Sequence, residues 1–454
     1  MTQNQRTVGI TDSTDYTDDT DLKSIQSVKS NNPCKSVIQT GYKQTEVGVI
    51  PEDWEVKPLK RISPSQSVGL VINPSTYYDE AGTVPMLVGS DIKPNVINWK
   101  SARRISAASN HLIVSSRLAA GDLVTVRVGE PGITAVVPPE IDGCNCASMM
   151  IVRQHHSFNS HWLCYLMNSE LGLSQVAHVQ YGTAQKQFNI SHAIDFSYPV
   201  PPRKEQSAIA EALSNTDALI ESLKQLITKK RYLKQGAMQE LLTGKRRLPG
   251  FSGEWEVTRL GEIGSTFGGL TGKTKSDFGE GSALYITFMN IMANVIIDCG
   301  RFEKVRISPT ETQNRVMKGD LFFNGSSETP EEVGLCAYLS EDVNDLFLNS
   351  FCFGFRFRNG AEADGLYLAY YFRSSEGREL LKSLAQGATR YNLSKTALLK
   401  VAFPLPCTLE QTAIATILSD MDTEITNLET KLAKTRQLKQ GMMHNLLTGR
   451  IRLI

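Results

Sequence analysis

A stretch of about 44 residues occurs twice in this chain, and that repetition limits what the rest can fold into. From Glu205 it reads EQSAIAEALSNTDALIESLKQLITKKRYLKQGAMQELLTGKRRL, and from Glu410 it reads EQTAIATILSDMDTEITNLETKLAKTRQLKQGMMHNLLTGRIRL. The copies align without a gap, and roughly half of their positions are identical. The offset, 410 minus 205, divides the 454-residue chain into two comparable halves.

Each copy carries a heptad seam. Ile209, Leu213, Thr216, Ile220, Leu223 and Ile227 recur at alternating spacings of four and three, and Ile414, Leu418, Met421, Ile425, Leu428 and Leu432 repeat the pattern. The spacing predicts one long helix per copy, each able to bury the other's apolar stripe. Pro201 and Pro202, and Pro404 and Pro406, stand just upstream of the helix starts, and Gly244 and Gly449 follow each LLT in C-cap position. A helix of about 38 residues is about 57 Å long, which makes each copy a spacer. Gly236 and Gly441 interrupt the helices at equivalent points, marking either a close approach by a partner or the other helix, or a simple kink.

A chain of this length holds more than one domain, and 41% hydrophobic residues suffice for globular cores. With a formal charge of +1, any contact with nucleic acid must come from local patches. There is no apolar run of about 18 residues and no signal-peptide core, so a soluble, cytoplasmic protein without membrane contact is expected. Of the eight cysteines, only Cys144 and Cys146 are neighbours. Together with His155, His156, His161 and Cys164 they fit no usual zinc spacing, so free, mostly buried thiols are expected and no metal.

The predicted fold class is α/β (α+β): two mixed α/β domains separated by two long helices in an antiparallel coiled-coil pair, with a pseudo-twofold internal repeat. Residues 1–40 are a polar leader with Asp12, Asp15, Asp18, Asp19 and Asp21, expected to be disordered and solvated. The first domain covers 41–202, the first helix 203–247, the second domain 248–406 and the second helix 407–454. Each domain opens alike, with WEVKPLKRI from Trp54 and WEVTRLGEI from Trp255, where Trp54, Leu59, Trp255 and Leu260 are expected core anchors. Beyond that entry the bodies have drifted apart. Faint matches survive in Gly121-Asp122-Leu123 against Gly319-Asp320-Leu321, Gly132 against Gly334, and GTAQKQFNIS from Gly182 against GATRYNLS from Gly387. Runs such as LVTVRV, ITAVV and FCFGFRF predict strands, and one or two helices close each body.

The sequence carries none of the familiar catalytic motifs. FGGLTGKTK comes nearest to a phosphate loop, but Phe267 stands where the first glycine belongs. No amino-methyltransferase tetrapeptide, H-E-x-x-H or G-x-S-x-G string occurs. What remains is recognition. Arg127, Gln185, Lys186, Gln187 and Asn189 in the first half, and Lys273, Lys275, Asn324, Arg390, Tyr391 and Asn392 in the second, are candidate DNA-binding residues. Arg and Lys match guanine edges or phosphates, and Asn and Gln match adenine. The basic groups Lys229-Lys230-Arg231, Lys245-Arg246-Arg247, Lys434, Arg436, Lys439, Arg450 and Arg452 either touch DNA phosphates or form solvated or partner-docking faces.

The doubled order of a TEVGVIPEDWEV-type entry, a P-x-P-x-x-x-EQ-x-A-I-A helix start and an LKQG-x-M-x-x-LLTG helix end resembles the specificity subunit of type I restriction-modification systems, over about residues 41 to 454. The resemblance implies a non-catalytic chain whose two target-recognition domains each read half of a split, asymmetric double-stranded DNA sequence. The helices, through Ile209, Leu213, Ile220, Leu223, Ile414, Leu418, Ile425 and Leu428, would form the spacer and dock two copies of a modification subunit. That subunit methylates adenine with S-adenosylmethionine, and a restriction and translocation subunit uses ATP and Mg; this chain would bind no cofactor. The alternatives are a two-domain scaffold without a DNA role, or the recognition subunit of a modification-only or phage-exclusion system.

Overall fold

The computed structural model describes residues 41–183 and 185–453, so the leader expected over 1–40 lies outside the described residues. Two helices of 39 residues, Arg203–Leu241 and Thr408–Leu446, run antiparallel. The antiparallel sense is visible in two ion pairs related by the repeat offset. Lys234 of the first helix meets Asp422 of the second, and Lys439 of the second meets Asp217 of the first at 2.6 Å. Gly244 and Gly449 end the helices with φ of 69° and 72°, a left-handed conformation that favours glycine.

The two domains share one topology although their sequences have drifted. The first has a four-stranded antiparallel sheet in the order Gln66–Val68, Met149–Val152, Leu123–Val126, Thr134–Val136; the second has Gly264–Gly268, Cys352–Phe357, Leu321–Asn324, Cys336–Tyr338 in corresponding places. A second sheet repeats as well. Val84–Leu87 lies between antiparallel Arg104–Ile105 and parallel Asn145–Cys146, as Phe278–Ile286 lies between Phe302–Val305 and Leu346–Leu348. The entry strands Glu55–Pro58 and Glu256–Arg259 pair with Ser197–Val200 and Ala402–Leu405, the strands that lead into the long helices. Two helices close each body, Ser160–Met167 with Glu170–Val179 and Gly365–Arg373 with Ser375–Ser383.

The seam residues are spent inside the molecule, which corrects their assignment as docking residues. Ile209 and Leu213 pack into the first domain's core, and Ile414 and Leu418 into the second's. Ile220, Leu223, Ile227 and Leu432 form a cluster at the middle of the helix pair with Leu428 packed against it, and Ile425 is buried too. Each helix is anchored in one core at its start and in the other at its end, since Leu241 and Leu242 join the second domain and Leu446 and Leu447 the first. Cutting the chain at the helix boundaries therefore does not cut it into separate cores.

Several of the basic groups are likewise spent within the chain, and others stay on the surface. Arg452 grips Glu205 with Nε to Oε1 at 2.7 Å and Nη2 to Oε2 at 2.9 Å, and Arg247 grips Glu410 at 2.7 and 2.6 Å. Both carboxylates are buried, and each arginine lies over the entry tryptophan, Trp54 or Trp255. The basic end of each repeat thus clasps the start of the other repeat, closing the chain into a ring. Lys230 and Arg231 pair with Glu424 and Glu429 across the helices, Arg246 pairs with Glu240, and the Arg450 guanidinium meets His444. Lys229, Lys245, Lys434 and Arg436 stay exposed without a carboxylate partner among the described residues.

Neither glycine in the helices marks a close approach of the other helix or a break. Both helices run through unbroken, and a Cβ built on Gly236 or Gly441 would meet nothing within 4 Å. The thiols of Cys144, Cys146, Cys164, Cys336 and Cys352 are buried and unpaired, and burial pushes Cys144 and Cys352 up to about 12. Among the described residues no cluster of three His, Cys, Asp or Glu side chains could hold a metal, and no helix is long and apolar enough to cross a membrane.

Candidate nucleic-acid interface

In both domains the glycine-led segments from Gly182 and Gly387 are presented by the same device, a short hairpin beside the end of a sheet strand. In the first, the backbones of Tyr181 and Gln187 exchange two hydrogen bonds of 2.9 Å. Phe188 N donates to Arg127 O at 3.2 Å, and Gly129 N donates to Lys186 O at 2.9 Å, which ties the hairpin to the strand exit. In the second, Ala385–Gln386 pairs with Tyr391–Leu393, whose other edge pairs with Ser326–Ser327. Leu393 N donates to Gly325 O at 2.9 Å, the counterpart of the Phe188 bond.

Local sequence dictates this shape. Strand alternation turns Leu393 into the core while Asn392 faces solvent, and in the first domain Phe188 is buried while Asn189, which caps the short helix Ile190–Ala193, is exposed. The turns need glycine. Gly182 and Gly387 have φ of 97° and 132°, and a Cβ there would lie 2.4 Å from Gln185 O or 2.0 Å from Arg390 O. Gly132 and Gly334 also correspond, with φ of 97° and 73°; each lets a body helix approach the sheet, through Val176 or Leu381.

The candidate residues divide into those on the surface and those that are not. Gln185, Lys186, Asn189, Arg390, Asn392 and Lys275 are exposed. Gln187 and Tyr391 are half-buried in the hairpin ladders, and Tyr181 Oη donates to Asn189 Oδ1 at 3.0 Å, fixing that amide. Arg127 is a positioning residue, its Nε donating to Phe188 O at 3.3 Å. Two candidates are corrected outright. The Lys273 ammonium is enclosed and spent on Glu311 at 2.5 Å and Arg306 O at 2.6 Å, and Asn324 is buried, donating to Glu332 O and accepting from Leu335 N. FGGLTGKTK leaves a strand for a three-residue 3-10 turn, Lys275–Asp277. There the Thr274 amide and hydroxyl hold the Asp277 carboxyl below the usual range.

Sequence reasoning missed two features. The clasp of Arg247 and Arg452 was legible only as matched Glu and Arg positions at the two ends of each repeat. The other is a device that locks each domain to the helix pair: Tyr165 Oη donates to Asp217 at 2.8 Å beneath Lys439, and Tyr370 Oη to Asp422 at 2.8 Å beneath Lys234. Burial is the main cause raising both phenols, and the carboxylate that each bonds adds to it.

Two domains of one topology but unlike surfaces, held by a closed helical frame, define a two-site recognition module. The sequence profile described as "Type I restriction modification DNA specificity domain" matches residues 51–229 and 252–437, and the chain belongs to that family. A Methanocaldococcus jannaschii protein, provisionally named as the type I restriction enzyme MjaX specificity subunit, is 24% identical over 441 residues, covering 91% of this chain and 97% of its own length. The MjaVIII specificity subunit of the same organism is 27% identical over 214 residues, 46% of this chain and 49% of its own. The fold matches the S subunit of a type I restriction-modification system from M. genitalium, with a TM-score of 0.55 and 15% identity over 87% of this chain and 96% of that one. It also matches a chain solved in work on assembly and conformational transition of the type I R-M system, with a TM-score of 0.51 and 18% identity over 88% and 99% of the two chains.

Proposed function

We propose that this chain reads a bipartite, asymmetric DNA sequence, one half per domain, and presents it to modification and restriction subunits that perform all covalent steps. The observation that carries this is the pairing of one topology with two different hairpins, GTAQKQFN and GATRYN, on a twofold frame. A twofold frame turns two domains toward a duplex in opposed senses, and unlike hairpins select unlike half-sites. Contacts from Gln185, Lys186, Asn189, Arg390 and Asn392 specify bases, while neighbouring cations hold phosphates. This chain then contributes no catalytic group and binds no S-adenosylmethionine, ATP or Mg.

The same frame supports two copies of one modification subunit. With the seam consumed internally, docking falls to exposed positions that stayed identical in both repeats without any packing need. These include Lys229 and Lys434, Leu233 and Leu438, Gln235 and Gln440, and the open notches at Gly236 and Gly441. Leu233→Asp is expected to weaken association of one modification subunit by about tenfold, and Leu233→Asp with Leu438→Asp that of both. Sedimentation of the complex checks this, and an undiminished two-to-one assembly of the double variant would remove these positions from the interface.

The spacer role is tested by length. Four residues inserted after Thr435 add about 6 Å and about one turn, so the apolar seam is nearly kept in phase. Mapping of methylated adenines should then show a wider unread gap between unchanged half-sites. An unchanged gap would count against the helices as the ruler.

A further inference from the structure

We propose that Phe351 is a specificity-determining residue of the second domain, whose ring reads a thymine by contact with its C5-methyl group. The inference rests on the DNA-reading function above and adds a residue outside the two hairpins.

Three aromatic side chains are exposed among the described residues: Tyr181, Tyr232 and Phe351. Tyr181 belongs to the first hairpin, and Tyr232 to a long helix beside Gly236. Phe351 is 64% exposed and belongs to none of the apolar clusters. Its neighbours in the alternating run FCFGFRF, Phe353 and Phe355, are buried, so the same pattern takes two rings into the core and leaves the first outside. Phe351 lies in the three-residue link between strands Leu346–Leu348 and Cys352–Phe357.

That link is held rigidly. The buried Asn349 side chain accepts from Phe351 N at 3.0 Å and donates to Ile286 O at 3.1 Å. Gly325 N donates to Phe351 O at 3.0 Å. Two glycines crowd the link, because a Cβ on Gly269 would lie 2.0 Å from Asn349 O and one on Gly325 would lie 3.1 Å from Phe351 O. Gly325 is also the residue whose carbonyl receives Leu393 N of the hairpin, so Phe351 and the hairpin flank one backbone position. Lys395, with its ammonium 5.7 Å from the Phe353 ring, follows the hairpin and adds a cation to this surface. A large apolar ring thus stands on a hydrogen-bonded stretch of backbone beside a polar, cationic hairpin and packs into none of the chain's apolar clusters.

The ring's chemistry narrows what it can read. It offers no donor or acceptor, and the one apolar group on a major-groove base edge is the thymine methyl. The first domain differs here, since its link, Ala147–Ser148, is one residue shorter and presents Ser148 at the matching place. The methyl contact therefore belongs to one half-site only.

The test uses the full chain assembled with its modification subunit on its mapped target. Each thymine of both half-sites is replaced singly by deoxyuridine, which removes the methyl and nothing else. One position in one half-site should weaken wild-type binding by about fourfold, the worth of one buried methyl. Phe351→Ala should bind the thymine and deoxyuridine duplexes equally, and Phe351→Leu should recover part of the difference. The proposal is overturned if no thymine is sensitive, if Phe351→Ala stays as sensitive as wild type, or if it weakens all DNA alike, as an unspecific wedge would. A wild-type complex that marks no split target would overturn the DNA-reading function itself, and this proposal with it.

Discussion

Gly387→Val is expected to erase reading of one half-site while leaving the fold intact. The residue sits at φ 132°, a conformation that a β-branched residue avoids, and its Cβ would fall 2.0 Å from the Arg390 carbonyl oxygen. The hairpin cannot close around that atom, so Arg390, Tyr391 and Asn392 lose their common platform. Each base contact is worth about 1–3 kcal/mol, and losing two weakens specific binding by about thirtyfold or more. The hairpin tip is exposed and lies outside the apolar clusters, so the melting temperature should move little. Gly182→Val should do the same to the other half-site, with Gln185 O 2.4 Å from the added carbon. Affinity for matched and half-mismatched duplexes, measured beside a melting curve, checks both. Undiminished specificity in either variant would take that hairpin off the interface.

Arg452→Ala is expected to cost on the order of 3 kcal/mol of stability, because it leaves the Glu205 carboxylate buried with its main partner gone. Glu205 keeps the Trp54 indole donor at 3.0 Å, which does not replace a two-pronged guanidinium. Arg247→Ala should cost at least as much, since the wholly buried Glu410 is then left without a side-chain donor among the described residues, the Trp255 indole making no bond to it. Arg452 also holds Asp53 through two bonds, of 2.9 and 2.8 Å, whereas Arg247 grips only Glu410 among the carboxylates of the described residues, so the two losses differ in kind. Arg452→Lys should rescue only in part, since an ammonium cannot present parallel donors to two carboxylates. Chemical denaturation of the three variants gives the order. A loss at Arg452 no larger than that of a surface ion pair would mean that the ring does not depend on this closure.

The clasp also sets a direction for acid. Hydrogen bonding to Arg452 is the main cause holding the Asp53 carboxyl below its usual value of 3.8. A carboxyl whose pKa is lowered by folding contributes stability that is fully present above its unfolded value. That contribution is lost as pH falls through the lowered one. Near neutral pH the clasp is therefore at full strength.

Much of the frame was legible because its causes are local or periodic. Heptad spacing, upstream prolines and the glycines after each LLT are read along the chain, and they placed both helix starts to within a residue, whereas the expected ends at 247 and 454 lie past the observed ones, Leu241 and Leu446. The pairing GTAQKQFN with GATRYN was legible because a turn that needs positive φ keeps its glycine after the other residues have changed. Arg452 was not legible as a structural residue. A cation following a helix looks alike whether it faces solvent, phosphate or a carboxylate 247 positions away in the chain. Lys273 and Asn324 misled for the same reason, since their type suits DNA but their partners, Glu311 and the Leu335 amide, come from other segments. Phe351 went unnoticed in a strand-like pattern whose first ring lies just before the strand begins at Cys352.

Sequence alone determined that this protein is a doubled chain with two rods and two diverged domains, because repeat offset and helical period depend only on order along the backbone. Tertiary structure alone decided which side chains remain available. The seam leucines and isoleucines vanish into three cores, the terminal arginines close the ring, and the two hairpin tips, Phe351, Leu233 and Leu438 stay exposed. Burial and ion pairing depend on distances across space, and no spacing along the chain encodes those until the two halves have folded against each other.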